Sequence, residues 1–268
     1  MTKRIADLPS AFESEEEIAA RLEGKRLAVF LDYDGTLTPI VDRPELAVMA
    51  DSMRSVVRDL AARCTLAIVS GRDRPDVQKL VGLDDLIYAG SHGFDIAGPD
   101  GLSIQRQEGE DFSVLLEEVN KTLHQVMDPI DGALIEPKKA SVAAHYRLVA
   151  EEERHQVKEV VDAIVAQHPE LRVTPGKMVY EIQPRIEWNK GKAVLYLLEA
   201  LDLDKPDVMA MYFGDDITDE DAFNALVGSG IGIFAGEGSG PDADRPTAAD
   251  YRVKDTDEVG LLLQSLAR

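Results

Sequence analysis

The chain has 268 residues, of which 44% are hydrophobic and 29% charged, and its formal net charge is −21 at pH 7. This composition is that of a globular protein with one large or two small domains, and the negative charge argues against a nucleic-acid backbone or an anionic membrane surface as a partner. The single cysteine, Cys64, cannot form an internal disulfide, and no long apolar run or signal segment is present, so we expect a cytoplasmic protein.

The first predicted elements lead to a buried strand that ends in two acids. Residues 14–22 are predicted to form a helix with a capping box of Ser14 and Glu17. The apolar run at residues 27–31 is typical of a buried strand, and Asp32 and Asp34 follow it. Two carboxylates at the mouth of a buried strand repel each other, so they indicate a divalent cation between them. A simple Asp-Gly turn is the alternative.

Further strands alternate with helices along the next part of the chain. The predicted elements are a helix at 51–62, a strand at 65–69, a helix at 75–81 and a strand at 86–89. Fully apolar strands that alternate with helices predict a parallel sheet covered on both faces. Ser70 and Gly71, at the end of the second strand, offer a hydroxyl and unhindered N–H donors that suit a phosphate oxygen.

The pattern changes between residues 109 and 185. The predicted elements there are a helix at 111–127, strands at 133–136 and 141–147, a helix at 151–167, and strands at 171–173 and 178–182 around a Pro175-Gly176 turn. This order predicts a small α+β domain with an antiparallel sheet. We therefore predict a catalytic core of residues 1–108 and 186–268 and an inserted α+β domain of residues 109–185.

The parallel pattern resumes in the last third of the chain. The predicted elements are a helix from 188–192 onward, strands at 208–213 and 231–234, a loop at 236–250, an edge strand at 251–253 and a terminal helix from Thr256. Ligands bind beyond the carboxyl ends of strands in an open parallel sheet. Carboxylates from two distant segments should meet there, namely Asp32, Asp34, Asp215 and Asp219. Such an oxygen-lined site suits Mg²⁺ rather than Zn²⁺.

Lys190 supports the same site. It lies in the first turn of a predicted helix, where the helix dipole disfavours a cation by up to about 1 kcal/mol. Its position indicates a phosphate or the Asp32 carboxylate as its partner, with a solvated surface lysine as the alternative. Together these residues indicate phosphoryl transfer, in which Asp32 attacks phosphorus and Asp34 protonates the sugar oxygen and then activates water. The metal and Lys190 neutralise the phosphate charge.

Four motifs, in this order at strand or helix ends, resemble those of the haloacid dehalogenase-like (HAD) phosphatases. They are Asp32-Tyr33-Asp34-Gly35-Thr36, Ser70-Gly71-Arg72, Lys190 and Gly214-Asp215-Asp216-x-x-Asp219. The resemblance implies an α/β fold with a Rossmann-like parallel-sheet core and a Mg²⁺-dependent mechanism through an aspartyl-phosphate on Asp32. It also implies that the inserted domain is a mobile cap.

A finer resemblance, to the trehalose-6-phosphate phosphatases, covers nearly the whole chain after residue 25. The supporting stretches are Gly90-Ser91-His92-Gly93, Glu136-x-Lys138, His145-Tyr146-Arg147, Gly176-Lys177, Glu181-Ile182-x-Pro184, Trp188-Asn189-Lys190-Gly191-Lys192 and Gly214 to Phe223. The resemblance implies hydrolysis of trehalose 6-phosphate in trehalose biosynthesis. Gln183 departs from it, since an arginine is expected there.

A disaccharide phosphate presents many hydroxyls, which need paired donors and acceptors around them. The candidate substrate contacts are Glu136, Lys138, Arg147, Lys177, Glu181, Asn189 and Lys192. For each one alone, a solvated face is the alternative. His145 is interpreted as structural, His92 as part of a backbone-shaping loop, and Arg72 as a partner of a core carboxylate or a part of the site.

Other functions stay open at this point. The same core serves phosphatases for sucrose phosphate or mannosyl-phosphoglycerate, because only the cap discriminates between them. A phosphosugar mutase also starts from a paired Asp motif, but it returns the phosphate. A sugar-phosphate-binding regulator has no need of both Asp32 and Asp34. We expect a monomer whose partner is a small-molecule disaccharide phosphate.

Overall fold

The computed structural model describes residues 3–105 and 112–268. The strands in this part of the chain are β1 (Lys3–Arg4), β2 (Arg26–Leu31), β3 (Thr65–Val69), β4 (Ile87–Gly90), β5 (Asp95–Ala97), β6 (Ser103–Gln105), β7 (Leu134–Pro137), β8 (Val142–His145), β9 (Leu171–Gly176), β10 (Val179–Pro184), β11 (Val208–Gly214), β12 (Gly230–Ala235), β13 (Pro246–Thr247) and β14 (Tyr251–Val253). The helices are α1 (Glu15–Leu22), α2 (Asp51–Ala61), α3 (Arg74–Val81), α4 (Ser113–Met127), α5 (Arg154–Gln167), α6 (Lys190–Ala200), α7 (Glu220–Leu226) and α8 (Thr256–Leu266). None of these helices is long and apolar enough to cross a membrane.

Eight of the described strands form one mainly parallel sheet in the order β14-β12-β11-β2-β3-β4-β5-β6. β2 pairs in parallel with β11 on one side and β3 on the other, so the predicted acidic strand is central. Side chains alternate between the two faces. Val29 and Leu31 pack with residues of α2, α3 and α8, whereas Tyr212 of β11 packs edge-to-face on Phe223 of α7. The predicted α/β class is confirmed.

The sheet extends further at one edge than predicted. β5 pairs antiparallel with β4, and β6 follows it. These two strands have three residues each, which is too short for a hydrophobic period to reveal them. The predicted loop at 236–250 also contains β13, which pairs antiparallel with β1. Pairing between segments so far apart in the chain has no local sequence signal.

The capping box predicted at the start of α1 is wrong. α1 begins at Glu15, but the Ser14 side chain makes no capping hydrogen bond within the described residues. Glu17 instead accepts a hydrogen bond of 2.7 Å from the hydroxyl of Tyr251. In a capping box this carboxylate would accept from the backbone N–H of Ser14, but here it bonds to a distant tyrosine.

The chain divides into two compact units, one of Met1–Ser103 with Trp188–Arg268 and one of Ile104–Glu187. In the second unit four strands form an antiparallel sheet in the order β7-β8-β10-β9. The boundary predicted at 108/109 and the predicted helix start at 111 lie outside the described residues. The predicted boundaries and the function of the second unit as a cap stay predictions.

The predicted turn at Pro175-Gly176 is displaced by two residues. β9 continues through Gly176, which pairs with Val179 of β10. Lys177 and Met178 therefore make the turn, and Met178 has a φ of +65°. Pro175 lies within β9, which is an edge strand, and an edge strand tolerates proline.

The antiparallel sheet of the second unit has one apolar and one polar face. Ile135, Ala144 and Ile182 pack with residues of α4 and α5 in one core. Glu136 and Glu181 both pair with Ala143, so they share the opposite face. We call this opposite face the polar sheet face, and it carries Glu136, His145, Glu181 and Gln183.

Candidate active site

Parallel strands carry several of the predicted site residues to one edge of the main sheet. β2, β3 and β11 are parallel neighbours, so their carboxyl ends lie together. Asp32 follows β2, Ser70 follows β3 and Asp215 follows β11. The apolar strands are buried, and the polar residues begin where each strand ends. The local sequence pattern therefore directs the three segments to a common place.

Asp32, Asp215 and Asp219 form a group that we call the acidic cluster. Each contributes a carboxylate oxygen, and these atoms lie within 4.8 Å of one another. The three residues are 5%, 1% and 0% exposed. The close approach depends on Gly35, because a Cβ atom at that position would lie 2.0 Å from Asp215 Oδ2. Gly35 also has a φ of +83°, which favours glycine.

Lys190 lies between two members of the acidic cluster. Its Nζ is 2.9 Å from Asp32 Oδ1 and 2.7 Å from Asp219 Oδ1. The residue begins α6 and is 3% exposed, so the interpretation as a solvated surface lysine is wrong. The carboxylates hold the ammonium at a helix N-terminus, where the helix dipole alone would disfavour it.

Asp219 is held by four donors of the protein itself. Oδ1 accepts from Lys190 and, at 2.6 Å, from the hydroxyl of Tyr212. Oδ2 accepts from the backbone N–H groups of Asp215 and Asp216, both at 2.9 Å. Tyr212 is absent from the predicted site, since a tyrosine in an apolar strand has the same signal as a core residue. These bonds fix both the lysine and the turn after β11.

The electrostatics of the acidic cluster favour a bound cation. Burial raises the pKa of Asp32 well above its ordinary value; Lys190 opposes the shift, and the charges of Asp219 and Asp215 add to it. Burial acts to lower the pKa of Lys190, but Asp219 and Asp32 outweigh it, so this pKa is raised. One buried ammonium thus faces three carboxylates. A divalent cation would balance the excess charge, and carboxylate oxygens are the ligands that Mg²⁺ prefers.

Asp34 binds a different partner from the acidic cluster. Its carboxylate accepts two hydrogen bonds from Arg72, from Nε and from Nη2, each of 2.7 Å. Among the residues that the structure describes, the group able to hold a metal does not include it. The hydroxyl of Thr36, two residues after Asp34, is buried and has no hydrogen-bond partner in the described ranges. The predicted roles of Asp34 stay predictions.

Hydrogen bonds and close packing surround Ser70 and Gly71. The hydroxyl of Ser70 accepts from the backbone N–H of Arg72 at 3.1 Å, and its carbonyl accepts from the N–H of His92 at 2.9 Å. The His92 ring packs against Gly71, where a Cβ atom would lie 2.8 Å from Cε1. Ser91 and His92 have φ values of +49° and +56°, which are unusual for residues other than glycine and are typical of functional sites.

The polar sheet face of the second unit carries one ion pair and one hydrogen-bonded pair. Lys138 Nζ lies 3.4 Å from Glu181 Oε1, which also accepts from Ser141 at 2.5 Å. His145 Nε2 lies 2.9 Å from Glu136 Oε2. The structural interpretation of His145 thus agrees with the hydrogen bond it makes.

The other predicted substrate contacts have local structural partners. Arg147 Nη2 donates to the carbonyl of Lys177 at 2.8 Å. The side chain of Asn189 caps α6 and accepts from the N–H of Lys192 at 2.9 Å. Gln183, where an arginine was expected, donates to the hydroxyl of Thr174. The predicted binding of substrate by these residues stays a prediction.

The sequence and the structure of the chain are similar to those of known proteins. The family model for trehalose-phosphatase matches residues 30–257. "Probable trehalose-phosphate phosphatase 2" of Oryza sativa subsp. japonica is 44% identical over 284 residues, which cover 98% of this chain and 74% of that protein. "Trehalose 6-phosphate phosphatase RA3" of Zea mays is 42% identical over 97% of this chain and 74% of its own length. The crystal structure of a "trehalose-6-phosphate phosphatase related protein" is 26% identical, covers 90% of this chain and 96% of its own, and has a TM-score of 0.76.

Proposed function

The chain belongs to the trehalose-phosphatase family, and from this we propose that it hydrolyses trehalose 6-phosphate to trehalose and phosphate, with Mg²⁺ and through an aspartyl-phosphate. As a member of that family it is a phosphoric monoester hydrolase. The observation that carries the mechanistic part is the buried acidic cluster with Lys190, at the carboxyl ends of parallel strands.

Asp32 is the proposed nucleophile. One of its carboxylate oxygens attacks phosphorus, and the bond between phosphorus and the sugar oxygen breaks. Asp34 gives a proton to the departing oxygen, then takes one from the water that attacks the aspartyl-phosphate and releases phosphate. Lys190, 2.9 Å from Asp32, orients the nucleophile and faces the incoming negative charge.

The acidic cluster would hold the Mg²⁺, with Asp34 as the further ligand predicted from the sequence. When bound, the ion supplies positive charge that lets an anionic nucleophile approach a phosphate. Asp219, which accepts four hydrogen bonds from the protein, is suited to hold Lys190 and the turn after β11 in place. Ser70, Gly71 and Lys190 are the proposed phosphate contacts, because they offer a hydroxyl, an unhindered N–H and an ammonium.

The polar sheet face supplies the proposed sugar contacts. Glu136, Lys138 and Glu181 present paired acceptors and donors of the kind that sugar hydroxyls require. The remaining proposed contacts are Arg147, Lys177, Asn189 and Lys192. Two further expectations, a cytoplasmic location and a monomeric state, stay predictions.

Phosphate release from a panel of phosphate esters tests the proposal. The panel contains trehalose 6-phosphate, sucrose 6-phosphate, mannosyl-3-phosphoglycerate, glucose 6-phosphate and 4-nitrophenyl phosphate, each with Mg²⁺ and with a chelator. We expect Mg²⁺-dependent release that strongly favours trehalose 6-phosphate. Equal turnover of all members would remove the substrate assignment and leave the core chemistry. If no member releases phosphate, the alternatives are again a phosphosugar mutase and a sugar-phosphate-binding regulator.

A further inference from the structure

Arg72 belongs to the motif Ser70-Gly71-Arg72, but the proposed reaction gives it no task. Its side chain is 7% exposed, although it carries a permanent charge. Nε and Nη2 donate to the two carboxylate oxygens of Asp34, each at 2.7 Å. Such a bidentate pair fixes the plane and the direction of the carboxylate as well as its distance.

Arg72 is also anchored by groups other than Asp34. Nη1 donates to Asp76 Oδ2 at 3.0 Å, at the start of α3, and Nη2 donates to the carbonyl of Pro44 at 2.9 Å. The guanidinium lies over the ring of Tyr33, 5.5 Å from its centroid. Burial acts to lower the pKa of Arg72, but the hydrogen bonds and charges of Asp34 and Asp76 outweigh it and raise the pKa. The guanidinium is therefore a charged group held on several sides.

Asp34 has few constraints of its own. Its side chain is 35% exposed, and it precedes Gly35, whose backbone is left-handed. A carboxylate in this setting keeps rotamer freedom unless a partner removes it. Each carboxylate oxygen has two lone pairs, and the bidentate pair uses one on each. Asp34 can therefore exchange a proton while Arg72 holds it.

We propose that Arg72 is the positioning residue for Asp34, and that its guanidinium holds the carboxylate where it can exchange a proton with the sugar oxygen. The inference rests on the proposed function, in which Asp34 is the general acid. Proton delivery depends on a heavy-atom separation of about 2.6–3.2 Å, so a carboxylate that rotates away delivers poorly. The loss of Arg72 should therefore affect the proton transfer and spare the nucleophile.

Two substrates separate these effects. A sugar oxygen leaves as a strongly basic alkoxide unless it is protonated, whereas 4-nitrophenolate is weakly basic and leaves without a proton. The value of kcat/KM reports the steps up to formation of the aspartyl-phosphate, so the later activation of water by Asp34 does not enter it. The ratio of the kcat/KM values for the two substrates thus measures only the protonation of the leaving group.

The experiment compares Arg72→Gln and Arg72→Lys with the native protein, with Mg²⁺ present, on 4-nitrophenyl phosphate and on the sugar phosphate that it hydrolyses best. We expect kcat/KM to fall by about 10- to 100-fold for the sugar phosphate and by less than about threefold for the aryl phosphate. Arg72→Lys should behave like Arg72→Gln, because lysine keeps the charge but lacks the planar pair of donors. The matched control is Arg74→Gln, which removes a neighbouring arginine bound to Asp95 and Gln78 and should leave both values unchanged.

Equal losses for the two substrates would overturn the inference, and so would full activity of Arg72→Lys on the sugar phosphate. Asp34→Asn, measured alongside, distinguishes this failure from failure of the proposed function. If Asp34→Asn lowers kcat/KM for the sugar phosphate alone and the Arg72 variants do not, only the inference about Arg72 is wrong. If Asp34→Asn lowers both values equally, the acid role of Asp34 is wrong and the inference falls with it.

A second variant covers the case in which the Arg72 variants do not fold, as judged by circular dichroism. Asp76→Ala removes the anchor of Arg72 on α3, because alanine has no acceptor, and leaves the pair with Asp34 in place. We expect a loss of about threefold for the sugar phosphate and no change for the aryl phosphate, at the lower end of what a positioned acid supplies. An unchanged ratio of the two kcat/KM values would again overturn the inference.

Discussion

The acidic cluster and the Glu136–His145 pair of the polar sheet face each set a carboxylate against a basic side chain, but the two pairs differ in burial and in sequence separation. Asp32 and Lys190, which pair across the acidic cluster, are 5% and 3% exposed and lie 158 positions apart in the sequence. On the polar sheet face, Glu136 and His145 belong to adjacent strands of one hairpin, and their side chains are 29% and 22% exposed. The first arrangement depends on the whole fold of its unit, whereas the second needs only a hairpin.

This difference has consequences for function. Removing one member of a buried ion pair leaves an uncompensated charge away from water, which is strongly unfavourable. The side chains of a partly exposed pair can exchange each other for water or for a sugar hydroxyl at little cost. The acidic cluster is thus suited to fixed chemistry, and the pair of Glu136 and His145 on the polar sheet face is suited to reversible recognition. Four experiments test this comparison, three by substitution and one by adding Mg²⁺, and they follow from the largest expected effect to the smallest.

Asp32→Asn should abolish turnover, because the amide is not a nucleophile. We expect kcat to fall by a factor of about 10⁴ or more, the size seen when a nucleophile is removed. Phosphate release measures the loss, and circular dichroism establishes that the variant is folded. The matched control is Asp59→Asn, an exposed aspartate of α2, which should keep full activity. Residual turnover near that of the native protein would contradict the role of Asp32.

Much of the core site could be predicted because parallel strands impose their own geometry. Once residues 27–31 and 208–213 are recognised as buried parallel strands, the acids that follow must meet at one edge. Lys190 could be predicted from its conflict with the helix dipole. The sequence offered Arg72 as a partner of a core carboxylate, but it could not single out Asp34, because several carboxylates were possible partners.

The predictions that failed did so where a distant contact overrides a local pattern. Glu17 has the right spacing for a capping box, but the hydroxyl of Tyr251, 234 positions away, takes its carboxylate. The strand β9 passes through Pro175 because an edge strand loses no ladder hydrogen bond to proline. The short strands β5 and β6 depend on the sheet edge beside them rather than on their own three residues.

Lys190→Met should destabilise the protein, since it leaves Asp32 and Asp219 buried without their shared cation. We expect the free energy of unfolding to fall by about 3–5 kcal/mol, as measured by chemical denaturation. The matched control is Lys192→Met. Lys192 is an exposed lysine two residues further along α6, and its substitution should change the free energy of unfolding by less than about 0.5 kcal/mol. Equal stabilities of the two variants would show that Lys190 does not compensate the buried charges of Asp32 and Asp219.

Mg²⁺ should stabilise the native protein and not Asp215→Asn. A ligand that binds the folded state alone adds about 2.7 kcal/mol at a concentration of 100 times its Kd, so the melting temperature should rise with added Mg²⁺. The substitution removes one of three clustered carboxylates and therefore most of the binding. Glu159→Gln, on the exposed surface of α5, serves as the control and should respond like the native protein. An equal rise in Asp215→Asn would place the cation elsewhere.

Glu136→Gln tests the polar sheet face, where the comparison expects recognition to change and stability to stay. The substitution keeps the shape of the side chain but removes the charge that faces His145, in a pair that is partly exposed. We expect the free energy of unfolding to change by less than about 1 kcal/mol. The KM for the sugar phosphate should rise about tenfold, the loss of one charge-assisted hydrogen bond, while kcat/KM for 4-nitrophenyl phosphate should stay unchanged because that substrate has no sugar. A fall in kcat for both substrates, or a stability loss as large as that of Lys190→Met, would mean that the pair of Glu136 and His145 is held as firmly as the acidic cluster. The division between chemistry and recognition would then be wrong.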